Sequence, residues 1–278
     1  MTCPRLCRRS ALLTTAVVTL AACTKDTGPT SPSLAPVGFA RYVHAVPDTG
    51  ATDWRPIDRL QDSPPALALP FRGATPFQAM GTGDRHIRIF PTSTDINITS
   101  HFLLDTTISF HENTYYTLIH TGYARPGQTP AAHLLVLQDT TLPQPGANQI
   151  AVRVINAAFT IGAMDAFADT STSTPLPATP TIANIPYGTA SPYVMLPAGP
   201  LSLRATAAGT RAPQLASATA PAGTPGSTYL DPGAGSTIAG TVLTAIIIPG
   251  AVAGSTAGGS TSPSITWVVD RRPPRTTS

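Results

Sequence analysis

Lysine and glutamate are all but missing from this chain: Lys25 and Glu112 are the only examples among 278 residues. Charged residues of all kinds make up 11%, against roughly 25% in an average soluble protein. Thr, Ser, Ala, Pro and Gly must therefore form much of the surface. An excess of one sign is lacking too. The formal charge is +3, but Arg5, Arg8 and Arg9 precede Cys23, and the remainder balances 14 basic against 14 acidic side chains. A balanced surface carries no electrostatic footprint for nucleic acid, and no nucleic-acid partner is expected. Cysteine is limited to Cys3, Cys7 and Cys23. If the first two leave with a leader, no disulfide and no thiolate metal site can form within one chain. Long helices are discouraged as well, because 30 Pro and 22 Gly punctuate the sequence every few residues.

What is present begins with an address. Arg5, Arg8 and Arg9 make a positive region, residues 11–20 an apolar stretch too short to span a bilayer, and Leu20-Ala21-Ala22-Cys23 follows. This resembles a bacterial lipoprotein signal, which implies a signal peptide over 1–22 and a lipid on Cys23; the alternative is an ordinary secretory signal cut near Ala22. Residues 24–37 are short of bulky apolar side chains and rich in Pro, Ser and Thr, so 23–37 reads as lipidated Cys plus flexible tether. Thr24, rather than Asp, stands second in the mature chain. In bacteria with two membranes that resemblance favours the outer one, with the face left open.

Beyond the tether, short runs of β-branched and aromatic residues predict strands over 38–46, 86–90, 114–120 and 133–138. A second set covers 150–155, 192–196, 201–206, 241–248 and 265–269. Turn signals such as Pro47-Asp48-Thr49-Gly50 and Asp231-Pro232-Gly233 separate them. The pattern predicts an all-β chain of two tandem antiparallel, Ig-like β-sandwich domains over 38–140 and 149–270. Residues 141–148 serve as linker and 271–278 as a basic tail. The stretch 250–262 reads as a long flexible hairpin loop, and Asp95-Ile96-Asn97-Ile98-Thr99 as a strand or strand edge.

The halves resemble each other. Ala40-Arg41-Tyr42-Val43-His44-Ala45 aligns with Val152-Arg153-Val154-Ile155-Asn156-Ala157, 112 residues later, and Asp53 meets Asp165 at the same offset. Pro70-Phe71 through Pro76-Phe77 aligns with Pro186-Tyr187 through Pro192-Tyr193. The motifs Arg41, His44-Ala45-Val46-Pro47-Asp48, Pro70-Phe71, Tyr116-Thr117-Leu118 and Leu196-Pro197-Ala198-Gly199 resemble the bacterial envelope domain of unknown function 4397. The resemblance extends over nearly all of 37–269 as two units. Asn156 replaces the motif His in the second, and Phe159-Thr160 stands where Pro-Asp would fall. The resemblance implies an envelope β-sandwich without established activity, and supplies no catalytic residues.

Candidate chemistry is sparse. Asp48-Thr49-Gly50 has the look of an aspartic protease motif, but that reaction needs a second carboxylate, and Phe159-Thr160-Ile161-Gly162 offers none. An Asp-containing turn is the simpler reading. All six histidines lie between His44 and His133. His111, Glu112 and His120 could converge across strands, though no metal-ligand spacing supports it. His44 and His120 are expected as hydrogen-bonded, half-buried strand residues. The repeated Asp53 and Asp165 read first as a shared turn or strand-end hydrogen bond and second as a ligand site.

The expectation is therefore a lipid-anchored envelope protein that is not an enzyme, with no catalytic residues, metal or cofactor. It would work as a binding, adhesion or scaffolding module, held to the membrane through Cys23, with an envelope polysaccharide or a protein as partner. Ligand-binding candidates are Asp48, Asp53, Trp54, Phe71, Tyr187 and Tyr193, on the loops 47–58, 71–77 and 185–193, together with Asp165, the repeat counterpart of Asp53. The same aromatics, with Phe77, could instead plug the sandwich ends. The alternative is an envelope-polymer hydrolase or a metal- or ligand-binding protein using Asp and His of the first domain.

Overall fold

Strand β1 (Val37–Ala45) is buried along both faces from Ala40 onward, and that double burial organises the rest. The structure, a computed structural model, describes residues 35–275. The signal, Cys23 and most of the tether lie outside the described residues. Alternate residues of a strand point to opposite sides. Ala40 and Tyr42 accordingly join one apolar cluster, whereas Val43 and Ala45 join another.

The first half continues with β2 (Thr52–Pro56), β3 (Ala66–Leu69), β4 (Gln78–Gly81), β5 (Gly83–Pro91), the single-turn α1 (Ile96–Thr99), β6 (Leu104–Phe110), β7 (Tyr115–Thr121) and β8 (His133–Asp139). The second half holds β9 (Gln149–Asn156), β10 (Met164–Asp169), β11 (Ile182–Ile185), β12 (Val194–Pro197), β13 (Ser202–Ala207), β14 (Ala216–Thr219), β15 (Val242–Ile248) and β16 (Ser264–Arg271). They form four sheets, ordered β3-β2-β5-β6, β4-β1-β7-β8, β12-β9-β15-β16 and β11-β10-β13-β14.

Shared apolar clusters fix how these sheets stack. Tyr42, Trp54, Ile87, Phe110 and Leu118 fill the space between the first two sheets. Val154, Met164, Leu203, Ala245 and Ile247 fill the space between the last two. Val43, Ile119, Ile155, Ile246 and Ile248 close the middle, so the two inner sheets face each other across a third core. The all-β sandwich architecture thus becomes four layers, in which the halves share a buried wall. Burying a large apolar side chain contributes about 1.5–3 kcal/mol, and that wall is correspondingly costly to open.

Polar groups in the wall repeat across the halves. Arg41 donates from Nε to Thr117 Oγ1 at 3.0 Å and ion-pairs with Asp270, both side chains fully buried. Arg153 donates from Nε to Thr244 Oγ1 at 2.9 Å and holds Asp139 through both terminal nitrogens at 2.7 and 2.8 Å. Each guanidinium also lies over a ring, Arg41 on Phe77 at 4.1 Å and Arg153 on Tyr193 at 4.6 Å.

Three sequence expectations are corrected. The sheets are not wholly antiparallel, since β1 runs parallel to β7 and β9 parallel to β15. Residues 96–99 are helical, because Asp95 caps the turn by accepting from the Asn97 amide at 2.9 Å. The stretch 250–262 does connect β15 to β16, but it packs on the first half: Val252 donates its amide to Pro47 O at 2.8 Å, and Arg72 reaches the carbonyls of Pro249, Ser260 and Ser262 at 3.2, 2.9 and 2.6 Å.

Candidate functional site

The carboxylates singled out in the sequence hold turns. Asp48, on the turn after β1, accepts from the amides of Ala124 and Arg125 at 2.8 and 3.0 Å. Asp53, in β2 rather than in a loop, accepts from the Ala68 amide at 2.9 Å, the Thr92 hydroxyl at 2.6 Å and Arg55 at 2.5 Å. Burial pushes the Asp53 pKa up, but Thr92, Ala68 and Arg55 together carry it below the ordinary value. Asp165 accepts from the amides of Asn184 and Gly209 at 2.7 and 2.8 Å. Ala68 and Asn184 share a left-handed backbone, with φ of 52° and 51°. The pairing of β2 with β3, and of β10 with β11, slips register at these two aspartates. Each Asp therefore stands opposite a bulge and pins its left-handed residue, which accounts for its repetition.

The exchange of His for Asn is resolved in the same way. His44 Nε2 bonds to Gly50 O at 2.7 Å, and its Nδ1 accepts from the Val46 amide at 3.3 Å. Asn156 donates from Nδ2 to Gly162 O at 2.6 Å, and its Oδ1 accepts from the Ala158 amide at 3.1 Å. Imidazole and carboxamide thus clamp equivalent turns at equivalent offsets. His44 is fully buried rather than half-buried, and burial, opposed by the Gly50 bond, pushes its pKa down to about 4. His120 is also fully buried, and neither ring nitrogen has a hydrogen-bond partner, contrary to the expectation of a bonded residue.

The aromatic candidates divide. Trp54 is fully buried beside Tyr42, with ring centroids 4.9 Å apart, so it belongs to the core and presents nothing to a ligand. Tyr193 covers Arg153 and donates to Asp270 Oδ2 at 2.8 Å. Burial first, and the Asp270 carboxylate second, raise its pKa. Phe71 and Tyr187 keep partly exposed rings. Phe71 lies under Arg72, and Tyr187 meets His133 through a 3.1 Å hydroxyl contact at the border of the halves.

The remaining histidines and carboxylates do not converge on one centre. Asp48 and Asp53 each bond to their own turn or strand neighbours, and His111 donates its amide to the Tyr116 hydroxyl at 2.9 Å. Among the described residues, no three His, Cys, Asp or Glu side chains come together as a metal-ligand set. Two features escaped sequence reasoning. The first is a cross-strand cluster on the outer face of the first half, where Asp105 of β6 meets both His86 and Arg88 of β5, the latter at 2.8 Å. Period-two alternation could have placed these side chains on one face, but not fixed the register.

The second feature is a cleft of about 630 Å³ where the halves meet along β16, lined by Thr75, Pro76, Phe77, Pro232, Trp267 and Arg272 among others. Its lining mixes apolar side chains such as Phe77 and Trp267 with polar and charged residues, Thr75, Asp270 and the exposed Arg272.

These observations define a β-sandwich protein whose polar groups mostly hold turns and join layers. Residues 38–167 match the family model described as Domain of unknown function (DUF4397). That match runs from β1 into β10 and ends there. No curated protein matches the chain.

Proposed function

We propose that this is a lipid-anchored cell-envelope protein whose folded part, two tandem DUF4397-like sandwiches, is a non-catalytic binding, adhesion or scaffolding module. The observation that carries the reading is the commitment of its candidate chemistry to the fold: Asp48, Asp53 and Asp165 all accept backbone amides of the fold. What is left for recognition is surface, above all the cleft between Phe77 and Trp267 with Arg272 beside it. An envelope polysaccharide or an extended protein segment fits that chemistry, through stacking on rings and a charged hydrogen bond. The Leu20-Ala21-Ala22-Cys23 sequence supports attachment through Cys23, and Thr24 supports the outer membrane. More than one acyl chain would be needed for stable anchoring.

The test has two parts. Metabolic labelling with a fatty acid should mark the protein and fail on Cys23→Ala; a label retained by that variant, or release into detergent-free buffer, sinks the anchor. An epitope inserted in the exposed residues 172–175, digested on intact and on lysed cells, then assigns the face of the membrane. Binding to purified envelope glycan or envelope protein should weaken in Arg272→Glu. Hydrolysis of either polymer by the purified chain would overturn the non-catalytic reading.

A further inference from the structure

His44 of β1 and His120 of β7 are register partners on parallel strands, with rings stacked 6.2 Å apart and no exposure to solvent. The bonds at His44 require its neutral form with the proton on Nε2, since a proton on Nδ1 would confront the Val46 N–H. Those bonds close the turn over 46–50. Asp48 ties that turn to residues 124–125, and Pro47 O holds the 250–262 loop through the Val252 amide at 2.8 Å and the Ser255 hydroxyl at 3.2 Å. One ring thus anchors a chain of contacts that ends on the loop of the other half.

The surroundings give neither ring a counter-ion. Trp54 of β2 meets His120 edge-on at 6.0 Å, and Phe71 meets His44 edge-on at 5.9 Å, with Arg72 packed on the Phe71 ring. His133 of β8 adds an unfavourable charge interaction with His120. The nearby carboxylate, Asp48, bonds amides and accepts from neither imidazole. In the second half the corresponding register pair is Asn156 with Ile247, which keeps the turn clamp and has no proton to gain.

We propose that the His44–His120 pair is an acid-released clasp, in which proton uptake opens the 46–50 turn and frees the 250–262 loop while the Asn156 clamp stays shut. The direction follows from linkage. Burial lowers the pKa of His44 to about 4 and that of His120 to about 3, from an ordinary 6.5. The closed clasp therefore excludes protons that the open one binds. Closure is fully favoured above pH 6.5 and is lost as pH falls through 6.5 towards those values, by up to about tenfold per pH unit for each ring.

Amide hydrogen exchange on the whole chain at pH 7.5 and 5.0, corrected for intrinsic rates, tests this. Opening of residues 46–50 and 251–256 should rise at least about tenfold at the lower pH, with residues 158–162 unchanged. His44→Asn with His120→Ile, which copies the second half, should abolish the rise. His44→Asn alone should reduce it and serves if the double variant does not fold. Asn156→His should extend acid opening to 158–162. No rise in the unaltered chain, an equal rise at 158–162, or a rise that survives the substitutions would overturn the clasp.

Discussion

Arg41 and Arg153 make one arrangement twice, each with a carboxylate from the other half. Arg41 of β1 reaches Asp270 of β16, and Arg153 of β9 reaches Asp139 of β8. Each rests its Nε on a threonine of the neighbouring parallel strand and its plane on an aromatic ring. The Arg that recurs in β1 and β9 is thereby explained as the polar part of their common wall. Arg153 has its pKa lowered by burial and raised by Asp139, Tyr193 and Asp270, with the raising contributions prevailing.

Removing one partner of a buried pair leaves the other charged and unmatched. Arg41→Ala should cost about 3–5 kcal/mol, because the Asp270 side chain is fully buried. Arg153→Ala should cost less, since the Asp139 side chain is 18% exposed and can hydrate. Denaturant titration of the three proteins measures both; an Arg153→Ala loss equal to or above that of Arg41→Ala would contradict this ranking.

Ala68 sits at φ 52°, a conformation that favours glycine, and is held there by the Asp53 carboxylate. Ala68→Gly should stabilise the protein by about 1 kcal/mol, and Asp53→Ala should destabilise it by about 1–3 kcal/mol. A shift of the denaturation midpoint in the same direction for both would refute the strain-and-pin account.

Gly122 follows β7 at φ +90°, where an added Cβ would lie 2.4 Å from the Ala131 carbonyl oxygen. Gly122→Ala therefore combines backbone strain with a collision against another backbone segment, for a loss of about 3 kcal/mol or more. Thermal melting reads it directly, and an unchanged transition would mean that the 122–132 segment yields freely.

Tyr42 and Tyr193 both have raised pKa values, Tyr42 through burial alone and Tyr193 through burial and then the Asp270 carboxylate. An unfolded chain ionises tyrosine near 10.0, while the folded one keeps these two protonated. The unfolded state thus sheds protons first. Their contribution is complete below pH 10 and is lost as pH rises further. Of the seven tyrosines, these two should show tyrosinate absorbance only together with loss of strand circular dichroism. Titration of all seven in the folded protein would refute this.

The long strands were legible because their apolar positions recur in short, turn-bounded runs: all nine predicted segments fall on strands, from β1 to β16. The missed ones are mostly four-residue edges such as β3, β11 and β14, or strands such as β6, where Asp105, Thr106, Thr107 and Ser109 leave little apolar signal. The halves' likeness was readable, yet its meaning was not. Arg41 and Asp270 stand 229 residues apart, and no local pattern says which carboxylate answers which arginine. Trp54 admitted two readings in the sequence, a ligand-stacking ring or a plug of the sandwich end, and its place in a strand whose register slips at Asp53 turns the indole into the core. The cleft was hidden for the same reason, since Phe77 and Trp267 meet only after the sheets stack.

The position of β1 also has a mechanical consequence. The chain enters the described fold through this strand, which lies between β4 and β7 and is covered on both faces. A force delivered along it from the N-terminal side must slide seven residues past their β7 partners together, rather than peel them away one at a time. The first strand to take such a load is therefore loaded in shear, the direction in which a β ladder resists most, and sits at the point where the two halves brace each other.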